Sequence, residues 1–172
     1  MKNLLLAAAA AALTFAAFSP ALADDDNSGA GKTNRAVATG TGQLTVFMPI
    51  TLAQTQGLDF GAITSGASGT VAIDQASGAR TVAGGVGALA VNVGQSGAFA
   101  VSGQLNAAIN VVVGANITGF AGGLTGTTVA ANLPSKLTGN NATFNVGGSL
   151  NIPASTPAGV YTGAYTVAVN YP

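Results

Sequence analysis

Apolar and polar residues alternate with a period of two along most of the chain beyond residue 42. The first such stretch sets Leu44, Val46, Met48, Ile50 and Leu52 against Thr45, Phe47, Pro49 and Thr51. Successive strand side chains point to opposite faces, so this pattern predicts a β-strand. Pro49 has no N–H to donate, which places the strand at a sheet edge or bends it there. Shorter runs follow at Leu58–Ile63, Thr70–Asp74, Thr81–Ala83, Leu89–Val93, Phe99–Gly103, Ile109–Val113 and Asn116–Phe120. After these come Thr128–Ala131, Ala142–Val146, Ser149–Ile152 and Tyr161–Tyr171. Turn residues separate them, among them Ala76-Ser77-Gly78, Gly84-Gly85, Gln95-Ser96-Gly97, Gly122-Gly123 and Gly147-Gly148. Short strands at such spacing predict a sandwich or barrel.

No segment beyond residue 23 carries an apolar stripe at helical spacing. Its alanine-rich pieces are broken by glycine within a few residues, and glycine costs a helix about 1 kcal/mol. The last strand is the longest alternation. Tyr161, Gly163, Tyr165, Val167, Val169 and Tyr171 share one face; Thr162, Ala164, Thr166, Ala168 and Asn170 share the other. A strand of this kind either pairs on both sides or presents an edge that recruits another chain.

The N-terminus has a different character. Lys2 precedes an apolar run from Leu4 to Phe18, which closes on Pro20-Ala21-Leu22-Ala23. A charged start, a short apolar stretch and a small-x-small cleavage site are the parts of a secretory signal peptide, expected over 1–23. The run is too short to span a bilayer comfortably. Export then leads to the periplasm in transit and to the cell surface or medium. Residues 24–42 are small and polar, and read as a flexible arm. Residues 43–172 form the expected β-domain.

Composition narrows the function classes. The chain contains no Cys, His, Trp or Glu, and 6% of its residues are charged. An ordinary soluble domain is about a quarter charged. So little charge offers no electrostatic grip on nucleic acid or anionic lipid. Without cysteine no disulfide staples the fold. Chains this poor in charge tend to associate.

Candidate chemistry is sparse. Gly31-Lys32-Thr33 resembles the end of a phosphate loop, but Asp26 stands where the pattern needs glycine. Gly85-Val86-Gly87-Ala88-Leu89-Ala90 is a loose dinucleotide match in a chain with 25 glycines, and reads as a turn. Hydrolytic triads lack His and Cys, and zinc or iron sites lack their usual ligands. Asp59 is expected to bond nearby backbone N–H groups at a strand end, and Asp74 to open a turn through Gln75–Gly78. No catalytic residue, metal, cofactor or small-molecule substrate is predicted, and the chain is read as a non-enzyme.

Three motifs carry a resemblance. They are Leu58-Asp59-Phe60-Gly61, Ala98-Phe99-Ala100-Val101-Ser102-Gly103, and the C-terminal pair Val146–Ile152 and Pro157–Val167. Together they resemble an uncharacterised secreted pilin-like domain family of alphaproteobacteria. The chain is more distantly similar to the spore coat protein U group of chaperone–usher pilins. The resemblance implies an immunoglobulin-like β-sandwich and a structural subunit of a fimbrium or coat. Subunits would join by β-strand complementation, with a periplasmic chaperone and outer-membrane usher as further partners. The implied donor arm is Arg35, Ala36, Val37, Ala38, Thr39, Gly40 and Thr41; the implied acceptor edge is Tyr165, Val167, Val169 and Tyr171. The alternative is a self-complete, monomeric secreted module for binding or adhesion.

Overall fold

The computed structural model describes residues 38–64 and 66–172, and among them the fold is all-β, sandwich-like and antiparallel. The expected signal peptide and residues 24–37 lie outside the described residues. The chain divides into two units, Met1–Gly42 and Gln43–Pro172. In the second, the strands are β1 (Thr51–Gln56), β2 (Ile63–Thr64), β3 (Gly69–Ile73), β4 (Arg80–Gly84), β5 (Gly87–Ala88) and β6 (Gly97–Ser102). They continue as β7 (Asn110–Val113), β8 (Asn116–Ile117), β9 (Thr125–Val129), β10 (Asn141–Ile152) and β11 (Val167–Asn170).

The main sheet runs in the order β1-β6-β10-β3-β4, with β9 on β10 and β8 on β9. β11 pairs with β7, and β2 with β5, as two small sheets. The 12-residue strand β10 organises both halves of the domain. Asn141–Val146 pair with β6, and Gly148–Asn151 lie between β3 and β9.

Alternate residues build the core from these ladders. β6 buries Gly97, Phe99 and Val101 on one face. Phe99 stacks on Phe144 of β10, ring centroids 5.4 Å apart and 13° from parallel, a favourable pairing beyond the area it buries. Val111 of β7 joins this cluster, and Val167 and Val169 of β11 pack against it, so the two sheets face each other here. A second cluster gathers Val71, Val86, Leu124, Leu150 and Ile152. β10 contributes to both, Val146 to the first and Ile152 to the second.

Several segments depart from the sequence reading; of Leu58–Ile63, only Ile63 lies in a strand, with a single bridge from Asp59 to Gln95. Gly147-Gly148 is no turn; it lies inside β10, because a side chain there has no room. A Cβ on Gly147 would collide with the carbonyl of Ile73, and one on Gly148 would come within 2.7 Å of the carbonyl of Thr127. The alternation at Leu44–Leu52 becomes strand only from Thr51 onwards, and the stretch before it has no ladder partner among the described residues. Leu89–Val93 forms a turn and irregular chain. In Tyr161–Tyr171, only Val167–Asn170 is laddered, with one further bridge from Ala164 to Thr118.

Candidate assembly cleft

Two chain segments run in opposite directions and diverge. Where Met48 meets Tyr171 they are tied, the Tyr171 hydroxyl donating to the Met48 carbonyl at 2.8 Å. Further along, Leu58 and Tyr165 both close on Gly97: a Cβ there would lie 2.6 Å from the Tyr165 hydroxyl and 3.3 Å from the Leu58 nitrogen. Beyond this point Leu58–Thr64 and Thr156–Gly163 flank an open cleft of about 950 Å³. Its apolar interior includes Val71, Ile117, Phe120, Leu124, Leu150 and Ile152.

The first wall is held by its own motif. Gly61 has φ +77°, a left-handed conformation that suits glycine. Its N–H donates to Asp59 Oδ1 at 2.7 Å, closing a tight local turn. Asp59 Oδ2 accepts from Asn92 Nδ2 at 2.9 Å. The missing Cβ of Gly61 leaves room for the Arg80 guanidinium. That group donates to the carbonyls of Ala62 at 2.9 Å, Asn92 at 2.8 Å and Leu89 at 2.8 Å. One rigid fork thus fixes the wall to the 89–92 turn, a role the sequence pattern does not signal.

The second wall is held differently: the Tyr161 hydroxyl donates to the Pro157 carbonyl at 2.7 Å within it. Among the described residues, the backbone of Ala158–Gly163 makes no hydrogen bond to a neighbouring strand. Val160 is 95% exposed at the rim. Tyr165 stands at the foot of the wall, edge-on to Phe99 at 6.2 Å and 78°. Its hydroxyl is buried and without a partner among the described residues. Burial pushes this phenol above its ordinary pKa. An unpaired buried hydroxyl is costly and calls for an explanation.

Of the expected acceptor residues, only Tyr165 lines the cleft, while Val167, Val169 and Tyr171 pack against the first core cluster. β11 pairs with β7 on one side only. Of the expected donor arm, Ala38, Thr39, Gly40 and Thr41 are exposed and in no strand, and Arg35, Ala36 and Val37 lie outside the described residues. Asp74 opens its turn as expected: Oδ1 accepts from the Ser77 hydroxyl at 2.7 Å, Ser77 N–H at 2.7 Å and Ala76 N–H at 3.1 Å. The Ser77 hydroxyl and N–H are the main reasons its carboxyl is held below the ordinary range.

Fold and cleft together define an all-β, sandwich-like domain whose layers are left open along one side. Residues 50–171 match a family described as a domain of unknown function, DUF4402. This span is well over half of the chain, and the chain belongs to that family. No curated protein matches the chain, and no solved structure does.

Proposed function

We propose that this protein is a non-enzymatic structural subunit of a surface appendage or coat, pilin-like in its assembly. It is exported, and copies join by β-strand complementation. The observation that carries this reading is the cleft itself. Both walls, Leu58–Ile63 and Tyr161–Tyr165, have the alternation of strands, yet each is almost free of ladder partners on the side facing the other. A strand inserted between them would bond their backbones and cover the partly buried Phe60, Ile63, Phe120 and Tyr161 that line the cleft. The same cleft suits a periplasmic chaperone's temporary strand before an usher-directed exchange.

Composition supports the reading. The uncharged stretch from Ala36 to Leu58 and the nearly uncharged cleft can meet without desolvating charge. The test is light scattering on the exported chain over a wide concentration range. Strand complementation predicts a ladder of multimers that exchanges subunits between two tagged populations. A monomer at every concentration overturns it.

A self-complete binding module is the second reading. The size of the cleft favours it, because about 950 Å³ lies at the upper end of small-molecule pockets.

A further inference from the structure

Leu89, Val91 and Val93 alternate like the inward face of a strand, yet the turn they form presents them to water. Val91 is 86% exposed, Val93 64% and Leu89 37%. The polar residue among them is the one bonded to the fold. Asn92 Nδ2 donates to Asp59 Oδ2, and Asn92 Oδ1 accepts from Gly94 N–H at 2.9 Å. Apolar side chains outside and a polar one held within is the reverse of the usual partition.

This tip is not a loose loop. Leu89 N–H donates to the Ala62 carbonyl at 3.0 Å, and the Asn92 carbonyl accepts from Ala62 N–H at 3.0 Å. The Arg80 guanidinium holds the carbonyls of Leu89 and Asn92 as well. At its base, Asp59 and Gln95 exchange N–H···O bonds of 2.9 and 2.8 Å. A guanidinium and a carboxylate are thus committed to a turn that keeps two valines in water. Exposed apolar side chains held in place this way call for a partner.

Three properties of the tip fit a lipid surface. It is small: three side chains fall far short of the about 800 Å² per partner that a stable protein interface buries. It is uncharged: residues 81–135 carry no charge, so no ion on the tip has to leave water. Its backbone is largely satisfied from within: the Leu89 N–H and the carbonyls of Leu89 and Asn92 are all bonded inside the chain. Hydrocarbon imposes that condition on any segment that enters it. We infer that the Leu89–Val93 tip seats Val91 and Val93 in the interfacial layer of a lipid bilayer, as a peripheral anchor that needs no electrostatic attraction. The inference is independent of how copies of the chain join.

The test is flotation of the exported chain with phosphatidylcholine vesicles, over a range of vesicle concentrations and at low and high salt. Binding is expected, and of equal strength at both salt concentrations. V91D/V93D should bind at least about tenfold more weakly. Its urea midpoint should stay unchanged, because both positions are exposed. The absence of native cysteine allows a second readout. An environment-sensitive dye on Ala90→Cys should shift to the blue on vesicles. The same dye on Thr143→Cys, exposed on β10, should not. No flotation at any vesicle concentration overturns the inference. So does equal binding by V91D/V93D, or an equal shift at the two dye positions. Binding confined to vesicles of anionic lipid and lost in salt shows an electrostatic attachment, and overturns it too. If V91D/V93D breaks up multimers that form without vesicles, a second copy covers the tip and the inference falls.

Discussion

The Tyr171 hydroxyl reaches across the domain to the carbonyl of Met48, 123 residues away in sequence. The same oxygen accepts from Gln104 N–H at 2.7 Å. One phenol therefore ties the last residues of the chain both to the stretch before β1 and to the loop after β6. Tyr171→Phe keeps the ring contact with Phe47 and removes both hydrogen bonds. It is expected to cost about 1–2 kcal/mol in urea unfolding. Hydrogen exchange at Met48 should quicken by more than the global loss accounts for, since its anchor is gone.

Tyr165 behaves differently. Its buried hydroxyl has no partner among the described residues, so Tyr165→Phe relieves an unmet desolvation cost. The isolated chain should be equally stable or gain up to about 1 kcal/mol. A fall in monomer stability would show that the hydroxyl is already satisfied within one chain.

Arg80 supplies a test of the first wall. Arg80→Ala leaves three carbonyls without their charged donor, and is expected to cost about 3 kcal/mol. Arg80→Lys recovers only part of this, because an ammonium lacks the planar fork that reaches all three. Amide exchange at Ala62 and Leu89 reports the loosening directly, since both N–H groups bond across this turn.

Gly147→Ala places a methyl group against the Ile73 carbonyl inside the sheet. Backbone on both sides has little freedom to yield, so the expected loss is about 3 kcal/mol by denaturant unfolding. Gly57 is the control: a Cβ there meets nothing within 4 Å. Gly57→Ala should stay within about 0.5 kcal/mol of the unsubstituted chain.

Asp74 predicts a pH dependence. Its carboxyl is held below the ordinary range in the folded chain. Its stabilising contribution is therefore complete above the unfolded value, about 3.9. It is lost as pH falls through the lower folded value. Stability measured from pH 6 to pH 2 should drop less steeply at the acid end for Asp74→Asn. Parallel curves for the two chains would contradict this.

The all-β fold was legible because alternation at Phe99–Gly103, Ile109–Val113 and Thr70–Asp74 coincides with real ladders. Asp59 and Asp74 bond the neighbouring backbone as their positions suggest. Alternation reports which face a residue takes, however, and not whether a partner strand stands beside it. Leu44–Met48 and Tyr161–Gly163 therefore read as strands although no ladder holds them. Gly147-Gly148 misled for another reason: glycine marks both turns and close backbone approach, and only the packing against Ile73 and Thr127 separates the two. The Arg80 fork was invisible, because its three acceptors are backbone carbonyls that any sequence would supply.

The partnership of β10 with β3 has a consequence for the order of events during synthesis. Ile73 pairs with Gly148, and Thr51 of β1 pairs with Ser102, itself opposite Asn141. The hairpin of β3 and β4 can form from neighbouring residues alone. The central sheet has to wait for β10, near the end of the chain. Pairings between residues so distant in sequence close slowly. A chain delivered from its N-terminus therefore exposes the strands of the early half before β10 arrives to organise them.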